Sequence, residues 1–134
     1  MVHGMESRLS RPASLLAAFA ALIGAAGVAL GAAGAHLPGG GDLTRLGAIY
    51  LVLHACAALG VAAFARLAYF HSALIFFGFI MLVGAALFSA DLAAHDFLTH
   101  RLFPYAAPIG GSAMILAWVA LLLAFLLEST RRRH

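Results

Sequence analysis

The chain has 134 residues, of which 64% are hydrophobic and 10% charged, and its mean hydropathy is +1.02. An ordinary soluble domain carries roughly 25% charged residues, so this composition excludes a soluble enzyme and leaves one membrane domain, residues 1–134, to account for the chain. The net charge of +3 comes from arginines scattered at the ends of apolar runs, with no lysine, and a basic balance without a basic face argues against a nucleic-acid partner.

Four apolar runs, at 13–35, 46–65, 72–90 and 103–127, fill the chain. Each reaches the roughly 20 residues that cross a bilayer as a helix. Lipid offers no hydrogen bonds to free backbone, and runs without period-two alternation form helices rather than barrel strands. The predicted fold is all-α: an integral membrane four-helix bundle with short loops and helices at about 13–35, 46–65, 72–92 and 106–128.

The first run starts after an arginine and ends in Gly31-Ala32-Ala33-Gly34-Ala35, which imitates a signal peptide and its cleavage site. A signal core is only about 7 to 15 residues, so the run is expected to be a retained helix. Along it Ala17, Ala20, Gly24, Gly27, Gly31 and Gly34 repeat three and four apart and share one stripe. Without much hydrophobic force between helices in lipid, close approach over small residues supplies van der Waals contact, and Gly27-x-x-x-Gly31 is the small-xxx-small pattern. Pro38 to Gly41 reads as a flexible hinge. Three glycines there without any lysine do not make a phosphate-binding loop.

The second run contains His54, eight positions in and so about 12 Å deep at 1.5 Å per residue. An ionisable group at that depth is expected to face the bundle interior. Tyr50 lies one turn earlier, where its hydroxyl would reach the imidazole or a neighbouring carbonyl. His54 is open to a neutral ring hydrogen-bonded across helices, or to proton transfer or cofactor ligation. Cys56, the single cysteine, cannot form an intrachain disulfide and reads as a small packing residue.

Beyond the third run, Asp91 and His95 stand four apart and would share a helix face, with His36, Asp42, Asp96, His100 and Tyr105 on the same rim. Such a pair offers two ligands to a divalent metal, but hydrated interfacial side chains explain it equally and the spacing is loose, so no metal site is assigned. Haem needs two histidines at matching depth. His36 and His54 are offset by roughly 10 Å or more and His71 lies at the other rim, so no cofactor is expected. In the fourth run Pro108 suits a first helical turn. Ala106, Gly110, Ala113, Ala117, Ala120 and Ala124 form a second small-residue stripe. Helices one and four are expected to meet through these stripes, or each to grip helix two or three.

Arg8 and Arg11 precede run one, Arg66 separates runs two and three, and Arg131, Arg132 and Arg133 follow run four, while Arg45 and Arg101 occupy the other two loops. By the positive-inside rule both termini should be cytoplasmic.

The segments Gly31-Ala-Ala-Gly-Ala-His36-Leu, Tyr50-x-x-x-His54-Ala, Leu87-Phe88-Ser89 and Pro108-Ile-Gly-Gly111 followed by Trp118 resemble, in order, the small four-helix membrane proteins of the YgdD and transmembrane protein 256 family. The resemblance implies a bacterial inner-membrane, multi-pass protein of a family without an assigned activity. The matching positions are Gly31, Gly34, His36, Tyr50, His54, Ser89, Pro108, Gly110, Gly111 and Trp118. Ala33 stands where the family tends to have Phe, and the stretch from His36 to Tyr50 looks short.

The candidate functional polar residues are therefore His54, Tyr50, His36, Ser89 and Asp91, and the helix-packing residues Gly24, Gly27, Gly31, Gly34, Gly110, Gly111, Ala113 and Ala117. The expected role is a non-catalytic accessory subunit of a larger membrane complex, such as a respiratory or oxidase assembly. Its partners would be membrane lipids and other membrane subunits, with self-association also compatible. The alternative is a small carrier or proton-handling protein using His54 and Tyr50.

Overall fold

The computed structural model describes residues 2–131, with side chains from Arg11 onward; Arg132, Arg133 and the side chain of Arg8 lie outside the described residues. Four helices follow in order: α1 (Val2–His36), α2 (Asp42–Ala65), α3 (His71–Leu98) and α4 (Ala106–Arg131). Each contains a stretch long and apolar enough to cross a membrane. The helices outrun their apolar cores: α1 starts at Val2, well before residue 13, α2 starts one turn before its run, at Asp42, α3 continues past Ala90 to Leu98 and α4 reaches Arg131, because polar residues at a helix end can sit in the wet interface while the backbone stays helical.

Backbones pack in chain order, α1 on α2, α2 on α3 and α3 on α4, with a smaller contact between α1 and α3. Short loops joining antiparallel neighbours dictate this order. Helix α4 also reaches α2 through side chains, as in the edge-on pair of Phe64 and Phe125 at 5.0 Å. The backbones of α1 and α4 do not approach each other among the described residues, so the two small-residue stripes face the central helices and not each other. Leu16, Leu74, Met81, Leu82 and Leu121 are fully buried and form the core between them.

The stripe on α1 lies along α2. A Cβ placed on Gly27 would stand 2.9 Å from Leu51 Cβ and 2.8 Å from Val52 Cγ2, whereas one on Gly24 or Gly31 would meet Ala55 or Ala48 at 3.4 and 3.5 Å. On Gly34 it would lie 3.1 Å from Thr44 Cγ2. The α4 stripe lies along α3, with Ala117 fully buried and Ala113 partly covered. Gly110 is the tightest point: an added Cβ would be 2.6 Å from the backbone nitrogen of Phe88 and 2.7 Å from the carbonyl oxygen of Gly84. Gly111 sits outside that seam, with Phe88 Cδ2 at 3.9 Å, and does not limit the approach.

The segment after Pro38 is a tight turn, exposed at Pro38 and Gly39, in which Gly39 takes φ +86 and a Cβ on Gly40 would collide with the Gly34 carbonyl oxygen at 2.6 Å. One expectation is corrected. Cys56 is exposed. With Leu51, His54, Ala55 and Ala58 turned inward, the helical period places position 56 on the outer face, so it packs against nothing in the core.

Candidate functional site

Three polar groupings stand out, one at mid-depth and one at each end. At mid-depth, His54 on α2 is 8% exposed. Its Nδ1 lies 2.7 Å from the backbone carbonyl of Tyr50, one turn back, and the indole Nε1 of Trp118 on α4 donates to its Nε2 at 3.3 Å. A carbonyl can only accept and an indole N–H can only donate, so the two contacts together select the neutral ring with its hydrogen on Nδ1. Tyr50 serves through its carbonyl and a stacked ring, 5.7 Å between centroids and 12° between planes, rather than through its phenol. The Tyr50 ring also meets Phe88 of α3 at 4.9 Å. His54 thereby joins α2 to α4 and, through Tyr50, to α3.

At the end formed by the α1–α2 and α3–α4 loops, polar side chains tie helices and loops to one another. Ser89 Oγ donates to the Gly47 carbonyl at 2.7 Å, where α2 and α3 come so close that a Cβ on Gly47 would be 3.1 Å from Ser89 Cα. Asp96 Oδ2 accepts from the backbone N–H and the hydroxyl of Thr44 at 2.7 and 2.8 Å, supplying from α3 the cap that Gly41 lacks for α2. Asp91, 1% exposed, accepts from the Leu102 N–H at 2.9 Å and pairs with Arg101 at 3.7 Å. It anchors the α3–α4 loop from inside the bundle while His95 is exposed, so the two do not form the shared ligand face that their spacing suggests. His36, His100 and Tyr105 are exposed as well, and among the described residues no group of three metal-ligating side chains assembles.

The opposite end holds a constellation that sequence reasoning missed. Glu128, 5% exposed near the end of α4, accepts from the backbone N–H groups of Tyr69 at 2.9 and 3.1 Å and of Phe70 at 3.2 Å. These amides belong to the N-cap of α3, Phe70, and the residue before it; α3 has no side-chain cap of its own, and a carboxylate there complements the positive end of the helix dipole. The guanidinium of Arg131 lies over the Tyr69 ring at 4.0 Å, and Arg66 donates to Ser14 of α1 at 3.0 Å. The signal was present in the sequence: a lone acid among leucines at the end of an apolar helix must find donors, and the α3 start offers uncapped ones.

Fold and polar groupings define a small multi-pass membrane protein whose buried polar side chains join helices. The family described as a protein of unknown function, DUF423, matches residues 30–111. The chain belongs to that family, in agreement with the resemblance read from its motifs. The match runs from the last two turns of α1 to the first turns of α4, and so takes in His54, Ser89, Asp91 and Asp96 but not Trp118 or Glu128. No curated protein and no solved structure matches the chain.

Proposed function

We propose that this protein is a non-catalytic accessory subunit of a larger complex in the bacterial inner membrane, with both termini in the cytoplasm. One observation carries the reading: each buried polar side chain among the described residues, Thr44, His54, Ser89, Asp91 and Glu128, is engaged by a partner inside the bundle. Polar groups used in this way hold helices together, whereas a reaction or transport path needs groups turned toward a substrate.

Since the glycine stripes are covered internally, a partner meets other faces. α4 is clad outside in Ile115, Leu116, Val119, Leu122, Leu123 and Leu126, bulky side chains suited to lipid. The outer face of α1 carries Ala18, Ala21, Ala25, Ala29, Ala32 and Ala35, all exposed, with Leu15, Leu22 and Val28 the bulky side chains exposed among them, and α1 is the least covered of the four spans. Alanines at this spacing admit a second backbone closely, so the occupant of that face is a transmembrane helix of another subunit. Purification in mild detergent followed by native mass spectrometry should recover a heteromeric complex, and Ala25→Leu with Ala29→Leu should release it. Recovery of a monomer or a homo-oligomer alone from native membranes would sink the reading. Proton flux in liposomes, abolished by His54→Ala, would instead support a carrier; unchanged flux is expected.

A further inference from the structure

The end of the bundle that carries Glu128 also holds a cleft of about 960 Å³ lined by Arg66, Leu67, Tyr69, Glu128, Thr130 and Arg131. We propose that this cleft binds the phosphate headgroup of an anionic phospholipid, with Arg66 and Arg131 as its cationic contacts. The inference is independent of whether a partner subunit exists.

The two arginines come from separate elements and are each held by a neighbour. Arg66 follows the last residue of α2 and is tied through one guanidinium nitrogen to Ser14 of α1, which leaves its remaining N–H groups for another acceptor. The guanidinium carbon of Arg131 lies over Tyr69, 4.0 Å from the ring centroid, and 5.1 Å from that of Phe70. Stacking fixes the plane of a guanidinium while its N–H edge stays available, which is the geometry that takes a phosphate through two parallel hydrogen bonds. The acid in the lining keeps its charge, but its oxygens accept from the amides of Tyr69 and Phe70 just before α3, and with two arginines against one carboxylate the lining stays net positive. Thr130 is likewise engaged, donating to the Leu127 carbonyl at 2.8 Å.

The position of the cleft selects a lipid over a dissolved anion. It opens where the spans ending at Ala65 and Arg131 and the one starting at His71 reach the membrane surface together. Its flank carries Leu67, 79% exposed, and Tyr69, 65% exposed, an apolar side chain for the acyl region beside an amphipathic ring at headgroup level. A basic hollow between transmembrane helices at this height suits an anionic lipid headgroup.

The test uses the full chain in a mild non-ionic detergent, titrated with phosphatidylglycerol or phosphatidylcholine and read by native mass spectrometry. Phosphatidylglycerol should be retained preferentially. Each arginine neutralised should weaken it roughly fivefold, and Arg66→Gln with Arg131→Gln about 30-fold, while Arg45→Gln at the opposite end should change nothing. Equal retention of the two lipids by the wild type, or undiminished retention by the double variant, overturns the proposal. Soluble glycerol 3-phosphate should compete poorly; competition as effective as that of the lipid would mean a free-phosphate site and would also overturn it. Should the double variant fail to fold, photo-crosslinking of wild-type protein with a glycerol-proximal diazirine phosphatidylglycerol decides. Adducts are expected within residues 64–71 and 125–131, and adducts scattered over both ends would count against the cleft.

Discussion

His54 is held from two sides by groups whose hydrogen-bonding sense is fixed, and this makes its chemical state a measurable consequence of the fold. The Tyr50 carbonyl requires a hydrogen on Nδ1 and the Trp118 indole requires a lone pair on Nε2. Nitrogen-15 spectra of histidine-labelled protein at neutral pH should therefore show the Nδ1–H tautomer at residue 54, with the Nε2 resonance shifting in Trp118→Phe. An Nε2–H tautomer would contradict the geometry. Interhelical hydrogen bonds in membranes average about 0.6 kcal/mol, with a maximum near 1.7, so a double-mutant cycle between His54→Ala and Trp118→Phe should return a coupling of that order. The importance of His54 was legible in the sequence because a lone imidazole deep in an apolar run must turn inward. Its partner was not, since Trp118 lies 64 residues away and nothing local in α4 aims an indole at α2. Glu128 follows the same logic at the other end. Glu128→Ala leaves the amides of Tyr69 and Phe70 without their acceptor and should cost about 1–2 kcal/mol of stability in thermal unfolding in detergent. Glu128→Gln, which keeps an acceptor oxygen, should cost less; equal losses in the two variants would mean that the side chain does not act as a cap.

For the helices, the stripes of small residues were readable from spacing, and so was the existence of a contact beneath each of them. Which helix lies beneath was not. Any two such stripes are sterically compatible: the short connections at 37–41, 66–70 and 99–105 force consecutive helices to pair, and the packing of α1 on α3, which no loop length dictates, keeps it away from α4. Spacing also could not rank the glycines, because room for a Cβ depends on what the facing helix places opposite. Gly110 faces the backbone of Phe88 and Gly84, atoms that cannot rotate away, whereas Gly111, its neighbour in sequence, faces only the edge of the Phe88 ring at 3.9 Å. Gly110→Ala should lower stability by about 1–3 kcal/mol through overpacking, and Gly111→Ala should be close to neutral. Melting temperatures in detergent compare them directly, and similar values for the two variants would mean that α3 and α4 are not in such close contact. The reciprocal residue is Gly84, with the Gly110 carbonyl oxygen 2.8 Å from an added Cβ.

At the scale of the whole molecule, charge is divided between the two ends of the bundle. Arg11, Arg66 and Arg131 lie at the end where α1 begins and α4 finishes, and Arg45 and Arg101 at the other. Arg45 pairs with Asp42 at 3.6 Å and Arg101 with Asp91 at 3.7 Å, so the cations of the less basic end have acidic neighbours, but acids contribute little to orientation and the count of arginines dominates. The expected orientation has the α1–α2 and α3–α4 loops outside the cytoplasm and the α2–α3 loop within it. In a Cys56→Ala background, a membrane-impermeant maleimide added to intact spheroplasts should label His100→Cys but not Leu67→Cys, and both after the membrane is opened; residues 67 and 100 are exposed, so accessibility reports sidedness rather than burial. Labelling of Leu67→Cys in intact cells with His100→Cys protected would invert the molecule and move the Arg66 and Arg131 cleft to the outer leaflet. Labelling of both from outside would show an odd number of crossings between the two loops to be wrong, since α3 alone separates residue 67 from residue 100.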